Sequence, residues 1–192
     1  MAVAFDLSSS HPLPPGAESL RFDATVPRRL VHRAAVAETF LTDAAEAGED
    51  RYVVAGQLPR THKLYNDGPG RHHDLLLLAE VVRQAGTLVS HRFYGVPEGT
   101  VFPLRRAQIE VGDLDALVAV DVTRPLVVGI RFFDQERQGG ALTSMTLGAE
   151  LFIDGRWVGS ASGAMHFVSP ASYNTLRRAR PHAGDGPVLS PV

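Results

Sequence analysis

The stretch Asp74–His91, DLLLLAEVVRQAGTLVSH, decides the fold. Leu78, Val81, Val82, Ala85, Leu88 and Val89 recur at spacings of three and four, the period of a helix packed on one side. Asp74 suits the N-cap, because its carboxylate can accept from the free N–H groups of the first turn. The spacing predicts a helix from Leu75 to about His91, roughly 25 Å long, about the width of a small sheet. Opposite the apolar side, Glu80, Arg83, Gln84, Thr87 and His91 form one polar stripe. Two readings of that stripe stand open. It is either a solvated face, on which Glu80 and Arg83 make a weak surface pair, or one wall of a cleft. In a cleft, a desolvated carboxylate beside a fixed guanidinium serves as a base or a charge stabiliser.

On either side of this helix the chain reads as strands. Val31–Thr42 and Arg51–Leu58 carry β-branched residues and are expected to pair across the acidic connector Asp43–Asp50. The loop Asn66–Gly70 separates them from the helix. After Gly95–Gly99, further strands are predicted near Val101–Val111, Ala116–Thr123, Leu126–Gln135, Ala141–Ile153 and Trp157–Phe167. Asp154-Gly155 reads as a tight hairpin turn, since both residues tolerate positive φ. Gly148, Gly159 and Gly163 mark bends or close backbone approaches. One long helix between an early hairpin and a later antiparallel meander gives an α+β architecture, the hot-dog fold, in which a curved sheet wraps a central helix. The expected organisation is an extended arm at 1–29, the hot-dog domain at 30–175 and a flexible tail at 176–192.

Composition narrows the function. The 192 residues are 44% hydrophobic and 21% charged with a formal net charge of -2, and Arg177, Arg178 and Arg180 form the only short basic run, so nucleic acid is not expected as a partner. There is no cysteine, which removes disulfides, thiolate zinc sites and cysteine nucleophiles and suits a reducing compartment. Met1–Ser10 lacks the pattern of a secretory signal, and the apolar block Leu75–Ala79 is too short to span a bilayer. A soluble, cytoplasmic protein is expected. The eight histidines show no metal-ligand spacing, and the chain has no phosphate-binding glycine loop and no GxSxG elbow on a strand-to-helix turn. No metal and no cofactor are expected. Candidate binding groups are His32-Arg33, at the start of the first expected strand, and His72-His73, just ahead of the helix, where free N–H groups and the dipole favour an anion or a thioester carbonyl.

Three blocks carry a family resemblance: Val26–Asp43 (VPRRLVHRAAVAETFLTD), Asp74–Gly86 (DLLLLAEVVRQAG) and His91–Pro97 (HRFYGVP). They resemble the A-factor biosynthesis (AfsA-type) hot-dog family of gamma-butyrolactone autoregulator synthases, over roughly residues 26 to 175. The resemblance implies an acyltransferase that moves a β-ketoacyl group from an acyl carrier protein to dihydroxyacetone phosphate, the committing step toward butyrolactone or butenolide signals of secondary metabolism. Glu80, Arg83 and Gln84 match the family's Glu-x-x-Arg-Gln helix motif and are implied to be catalytic. Glu80 would deprotonate or orient the attacking hydroxyl, and Arg83 would neutralise phosphate or oxyanion charge. His32, Arg33, His73 and Thr87 are the candidate substrate-binding residues. Family synthases usually carry two hot-dog units in tandem, whereas this sequence shows one motif helix and no repeat. Either a homodimer or a second unit is therefore expected. The alternatives on this scaffold are an acyl thioesterase or dehydratase, and a non-catalytic acyl-binding or dimerisation module.

Overall fold

The structure is a computed structural model that describes residues 11–60, 62, 64–65, 71–120 and 122–178. Six strands make one antiparallel sheet: β1 (Leu41–Gly48), β2 (Arg51–Gln57), β3 (Leu104–Val111), β4 (Pro125–Gln138), β5 (Ala141–Ile153) and β6 (Arg156–His166). Their spatial order is β1-β2-β4-β5-β6-β3, which leaves β1 and β3 as the edges. Helix α1 (Leu75–Arg92) packs inside the curve, and a short exposed helix, α2 (Pro170–Arg178), follows the last strand. This is the hot-dog fold that the helix and meander predict.

Asp74 caps α1 as expected, its Oδ1 accepting from the Leu76 N–H at 2.7 Å. The helix is more deeply placed than its apolar period suggests, with 13 of its 18 residues buried rather than one side. The apolar side meets Val54, Val128, Ile130, Phe132, Leu147 and Leu151 of the sheet in one core. At Gly86 the helix closes on β5 and β6, where a Cβ would stand 2.9 Å from Leu147 Cδ2 and 3.0 Å from Met165 Cε.

Two strand expectations fail for identifiable reasons. Val31–Thr42 is not a strand up to Phe40. It contains parts of two single turns of 3-10 helix, Arg28–Val31 and Val36–Glu38, and joins β1 only at Leu41. Its backbone groups bond to side chains of α1 instead of to a ladder: Val31 O and Glu38 O accept from Arg83 and Gln84, and Phe40 N donates to Gln84. The supposed connector Asp43–Asp50 is instead most of β1, where an edge position tolerates its charges, and the turn is only Glu49-Asp50, with Asp50 at φ 51°. Ala116–Thr123 is not a strand either. Asp115–Leu117 forms a 3-10 turn, and Arg124 Nη2 takes the carbonyls of Ala116 and Val118 that a partner strand would have taken.

The other hairpins follow their turn chemistry. Asp154 and Gly155, at φ 50° and 77°, close β5 onto β6, and Gly139-Gly140 closes β4 onto β5 in the same way. The described arm lies on the far face of the sheet from His11 to Phe22 and then crosses to the main core, which Val26 joins. His11 stacks on Trp157 at 4.3 Å, and Leu20 joins Val53, Ala55, Val127 and Phe152 in a second apolar cluster. The loop expected at Asn66–Gly70 lies outside the described residues. So does the expected tail from residue 179 onward, while 176–178 belong to α2.

Gly159 bears out the expectation of a close backbone approach. A Cβ there would collide with the carbonyl oxygen of Glu110 and stand 3.0 Å from Val111 Cα, both backbone atoms of β3 that cannot swing aside. Gly159→Ala is expected to destabilise the fold by about 2 kcal/mol, in the range of overpacked sites, and to speed amide exchange along β3. Denaturant unfolding with hydrogen exchange checks this, and an unchanged midpoint with unchanged β3 protection would contradict it.

Candidate active site

The polar stripe of α1 faces protein, not solvent. Segment 28–40 runs along it and is fastened to it, because a chain with no strand partner must find other partners for its N–H and C=O groups. Glu80 sits at the centre, 8% exposed. Its Oε1 accepts from Arg33 Nε at 2.9 Å, Arg83 Nη2 at 2.8 Å and Gln84 Nε2 at 2.7 Å, and Oε2 accepts from Arg83 Nε at 2.8 Å. Arg33 Nη2 also pairs with Oε1. Burial alone pushes the Glu80 carboxyl up, but the hydrogen bonds and charge of Arg83, with those from Arg33 and Gln84, hold it below the ordinary 4.5. Glu80 is thus an ionised anchor, and the weak surface pair does not describe it.

Gln84, with no exposure, donates from Nε2 to Glu38 O at 2.8 Å while its Oε1 accepts from Phe40 N at 3.0 Å. Arg83 spends Nε and Nη2 on Glu80 and Val31 O. Its Nη1 stands 3.5 Å from Thr87 Oγ1, which itself donates to Arg83 O at 2.8 Å. One edge of the guanidinium therefore remains toward the cleft. Arg33 and Arg83 are 27% and 34% exposed, so both reach solvent while gripping a buried carboxylate.

A second polar pair extends the site. His32 Nε2 lies 2.9 Å from His91 Nε2, and His91 Nδ1 lies 2.7 Å from the carbonyl oxygen of Val96. Burial first, then His91 and Arg83, push the His32 imidazole down to about 4, so the ring is uncharged at neutral pH. Phe102 packs against both rings, 4.8 Å from His32 and 5.1 Å from His91.

Beside these groups opens an apolar cleft of about 140 Å³ between α1 and the β3 and β6 edge of the sheet. Ala79, Val82, Arg83 and Thr87 line it from the helix, and Phe102, Ile109, Leu147 and Met165 line it from the other side. A hydrophobic slot with a guanidinium and a hydroxyl in its wall can hold an alkyl chain and stabilise negative charge at its polar end.

Of the residues singled out from sequence, Glu80, Arg83, Gln84 and Arg33 form one bonded cluster, Thr87 adjoins it, and His32 stands beside it. His73 is placed elsewhere. Its N–H donates to Leu117 O at 2.9 Å, and burial together with Arg124 keeps its ring pKa below the ordinary value. Tyr65 and Phe102 were not legible as site residues. Tyr65 falls within electrostatic reach of Glu80, Arg33 and Arg83, and its hydroxyl is pushed up by burial and then by Glu80. Neither carries a spacing signal, because each reaches the site from a loop. Among the described residues, no three His, Asp or Glu side chains are grouped to hold a metal ion, and no helix is long and apolar enough to cross a membrane.

Comparison with known proteins places these features. A 2-oxo-3-(phosphooxy)propyl 3-oxoalkanoate synthase of Streptomyces virginiae is 36% identical over 177 residues, covering 88% of this chain and 57% of the relative. The synthase of the same name from Streptomyces coelicolor is 32% identical over 152 residues, covering 79% of this chain and 48% of the relative. The chain thus spans about half the length of these curated relatives. Among solved structures, a dehydratase heterocomplex from Xenorhabdus doucetiae superposes with a TM-score of 0.56 over 82% of this chain and 99% of that one, at 11% identity, which speaks to the fold alone. The A-factor biosynthesis hotdog domain matches residues 17–169, a span that takes in the α1 cluster and the segment bonded to it, and the chain belongs to that family.

Proposed function

We propose that this domain transfers a β-ketoacyl group from an acyl carrier protein thioester to the free hydroxyl of dihydroxyacetone phosphate, in the biosynthesis of gamma-butyrolactone-type signals. The observation that carries the reading is the part-exposed guanidinium of Arg83 in the wall of an apolar cleft, fixed by a buried carboxylate that a second part-exposed guanidinium, Arg33, also grips. The relatives' name describes the matching product, an ester joining a 3-oxoalkanoate to a phosphooxy-bearing propanone. The acyl chain lies in the cleft, the phosphate meets the free N–H edges of Arg33 and Arg83, and Thr87 lies in the cleft wall beside Arg83. Glu80 and Gln84 hold the two arginines and the 28–40 segment in place. Both substrates belong to central and fatty-acyl metabolism, so the reading places the protein in the cytoplasm, with no metal or other cofactor in the step.

The domain is taken as 30–175, with an arm at 1–29, and α2 carries the chain past it to Arg178 ahead of the tail. The β3 edge borders the cleft and is exposed along most of its length. A second copy of the chain, or a second hot-dog unit, pairing there would extend the sheet and deepen the cleft. The test is mass-spectrometric, using a β-ketoacyl thioester with and without dihydroxyacetone phosphate. A phosphate-bearing acyl ester is the expected product. Free acid alone would make the protein a thioesterase, and no turnover would make it a binding module.

A further inference from the structure

Acyl transfer to an alcohol needs a group that takes the hydroxyl proton and returns it to the leaving sulfur. The helix motif suggests Glu80, and the geometry argues against it. Glu80 is bonded to three residues: its Oε1 accepts from Arg33, Arg83 and Gln84, and its Oε2 accepts from Arg83. Protonating it would break the contacts that hold Arg33 and Arg83.

The histidine pair is arranged differently. A carbonyl oxygen only accepts, so His91 Nδ1 carries the hydrogen that is donated to Val96 O. When His91 Nε2 carries no hydrogen, it accepts from His32 Nε2–H at 2.9 Å. That fixes the tautomer of His32 and leaves its Nδ1 as an open acceptor with no partner among the described residues. The backbone of His32 is held at φ 53°, its N–H bonding back to Arg29 O, so the ring has a defined position. Its neighbours are Arg83 and Phe102, which both line the cleft.

Resting on the acyl-transfer reading above, we propose that His32 Nδ1 is the proton acceptor and donor of the reaction, that His91 is its positioning residue, and that Glu80 takes no proton. The hydroxyl oxygen bonds to the thioester carbonyl carbon as its proton passes to Nδ1, and the resulting oxyanion faces Arg83. The tetrahedral intermediate collapses with loss of the C–S bond, sulfur leaving with the electron pair and taking the proton back from Nδ1. Thioester and alcohol become ester and thiol, and no further reactant is required.

The test compares wild type, His32→Gly and His91→Asn on the full chain, with a β-ketoacyl-N-acetylcysteamine thioester and dihydroxyacetone phosphate. Glycine suits the left-handed backbone at position 32 and leaves room for added imidazole. Asparagine at 91 keeps a donor for Val96 O, and its shorter side chain leaves no acceptor at the Nε2 position that faces His32. His32→Gly is expected to lose roughly 100-fold or more in kcat with little change in KM, and imidazole in solution is expected to restore part of it. His91→Asn is expected to lose about tenfold or more in kcat through the lost tautomer. A folded His32→Gly with kcat within roughly threefold of wild type, or a loss that imidazole does not reverse, overturns the proposal while ester formation by wild type stands. No ester from wild type overturns the acyl-transfer reading itself, and this role of His32 with it.

Discussion

Glu80→Ala is expected to destabilise the domain by about 3–5 kcal/mol, the cost of removing one partner from a buried charged network. Among the described residues the carboxylate is the one anion against which Arg33 and Arg83 both bond, and through them and Gln84 it fastens residues 28–40 to the helix. Without it two guanidiniums face each other across a buried gap and Gln84 loses one acceptor, so the 28–40 segment is the first part to detach. Chemical denaturation of Glu80→Ala, with hydrogen exchange read at residues 28–40, measures both effects. A loss below about 0.5 kcal/mol is what a solvated-face residue would give, and would refute the anchor.

The pH dependence follows with a fixed sign. A carboxyl held below 4.5 contributes stability that is full above 4.5 and is lost as pH falls through the lower folded value. Glu80→Ala should therefore lose its deficit relative to wild type in acid. His32 acts in an earlier window. Its folded value of about 4 lies below the ordinary 6.5, so the unfolded chain binds the proton first, and stability declines as pH falls from 6.5 toward 4. His32→Asn, which keeps the left-handed backbone, should lessen that earlier decline, leaving the share due to His73, and leave the Glu80 window intact.

The helix was legible because its two periods agree: Leu78, Val81, Val82 and Ala85 on one side and Glu80, Arg83, Gln84 and Thr87 on the other. Periodicity alone does not say what covers the polar side. What covers it here is residues 28–40, and their β-branched Val31, Val36 and Thr39 imitate a strand while their backbone bonds to α1 side chains. Local propensity points to a sheet, but the hydrogen-bond partners come from a helix more than 40 residues away in sequence, and no local window contains them. β1 was hidden for the opposite reason, since Asp43, Glu46 and Gly48 read as a connector although an edge strand accommodates such residues. Of the site, the resemblance to the family marked Glu80, Arg83 and Gln84. Arg33 and His32 were visible only as a charged dipeptide. The pairing of His32 with His91, 59 residues apart, is a property of the fold.

Arg83→Lys is expected to lower kcat/KM for the phosphate-bearing acceptor by about 10²–10³-fold, the scale of losing one preorganised donor to developing charge. The guanidinium does two jobs at once: Nε and Nη2 hold Glu80 and Val31 O, and Nη1 is left toward Thr87 and the cleft. An ammonium is a single point of charge and cannot span Glu80, Val31 O and the cleft. In Arg83→Lys the ammonium settles against Glu80, Arg33 still pairs with the carboxylate, and the fold survives because the buried charge remains compensated. Activity then falls without a matching fall in stability, the reverse of Glu80→Ala, where stability falls first. Slow hydrolysis of the thioester in the absence of acceptor should fall by the same factor if Arg83 serves the oxyanion, and should change little if it serves only the phosphate. Steady-state kinetics with and without dihydroxyacetone phosphate, beside an unfolding curve, separates these roles. A lysine variant that transfers at the wild-type rate would remove Arg83 from the chemistry and leave it as a strut for residues 28–40.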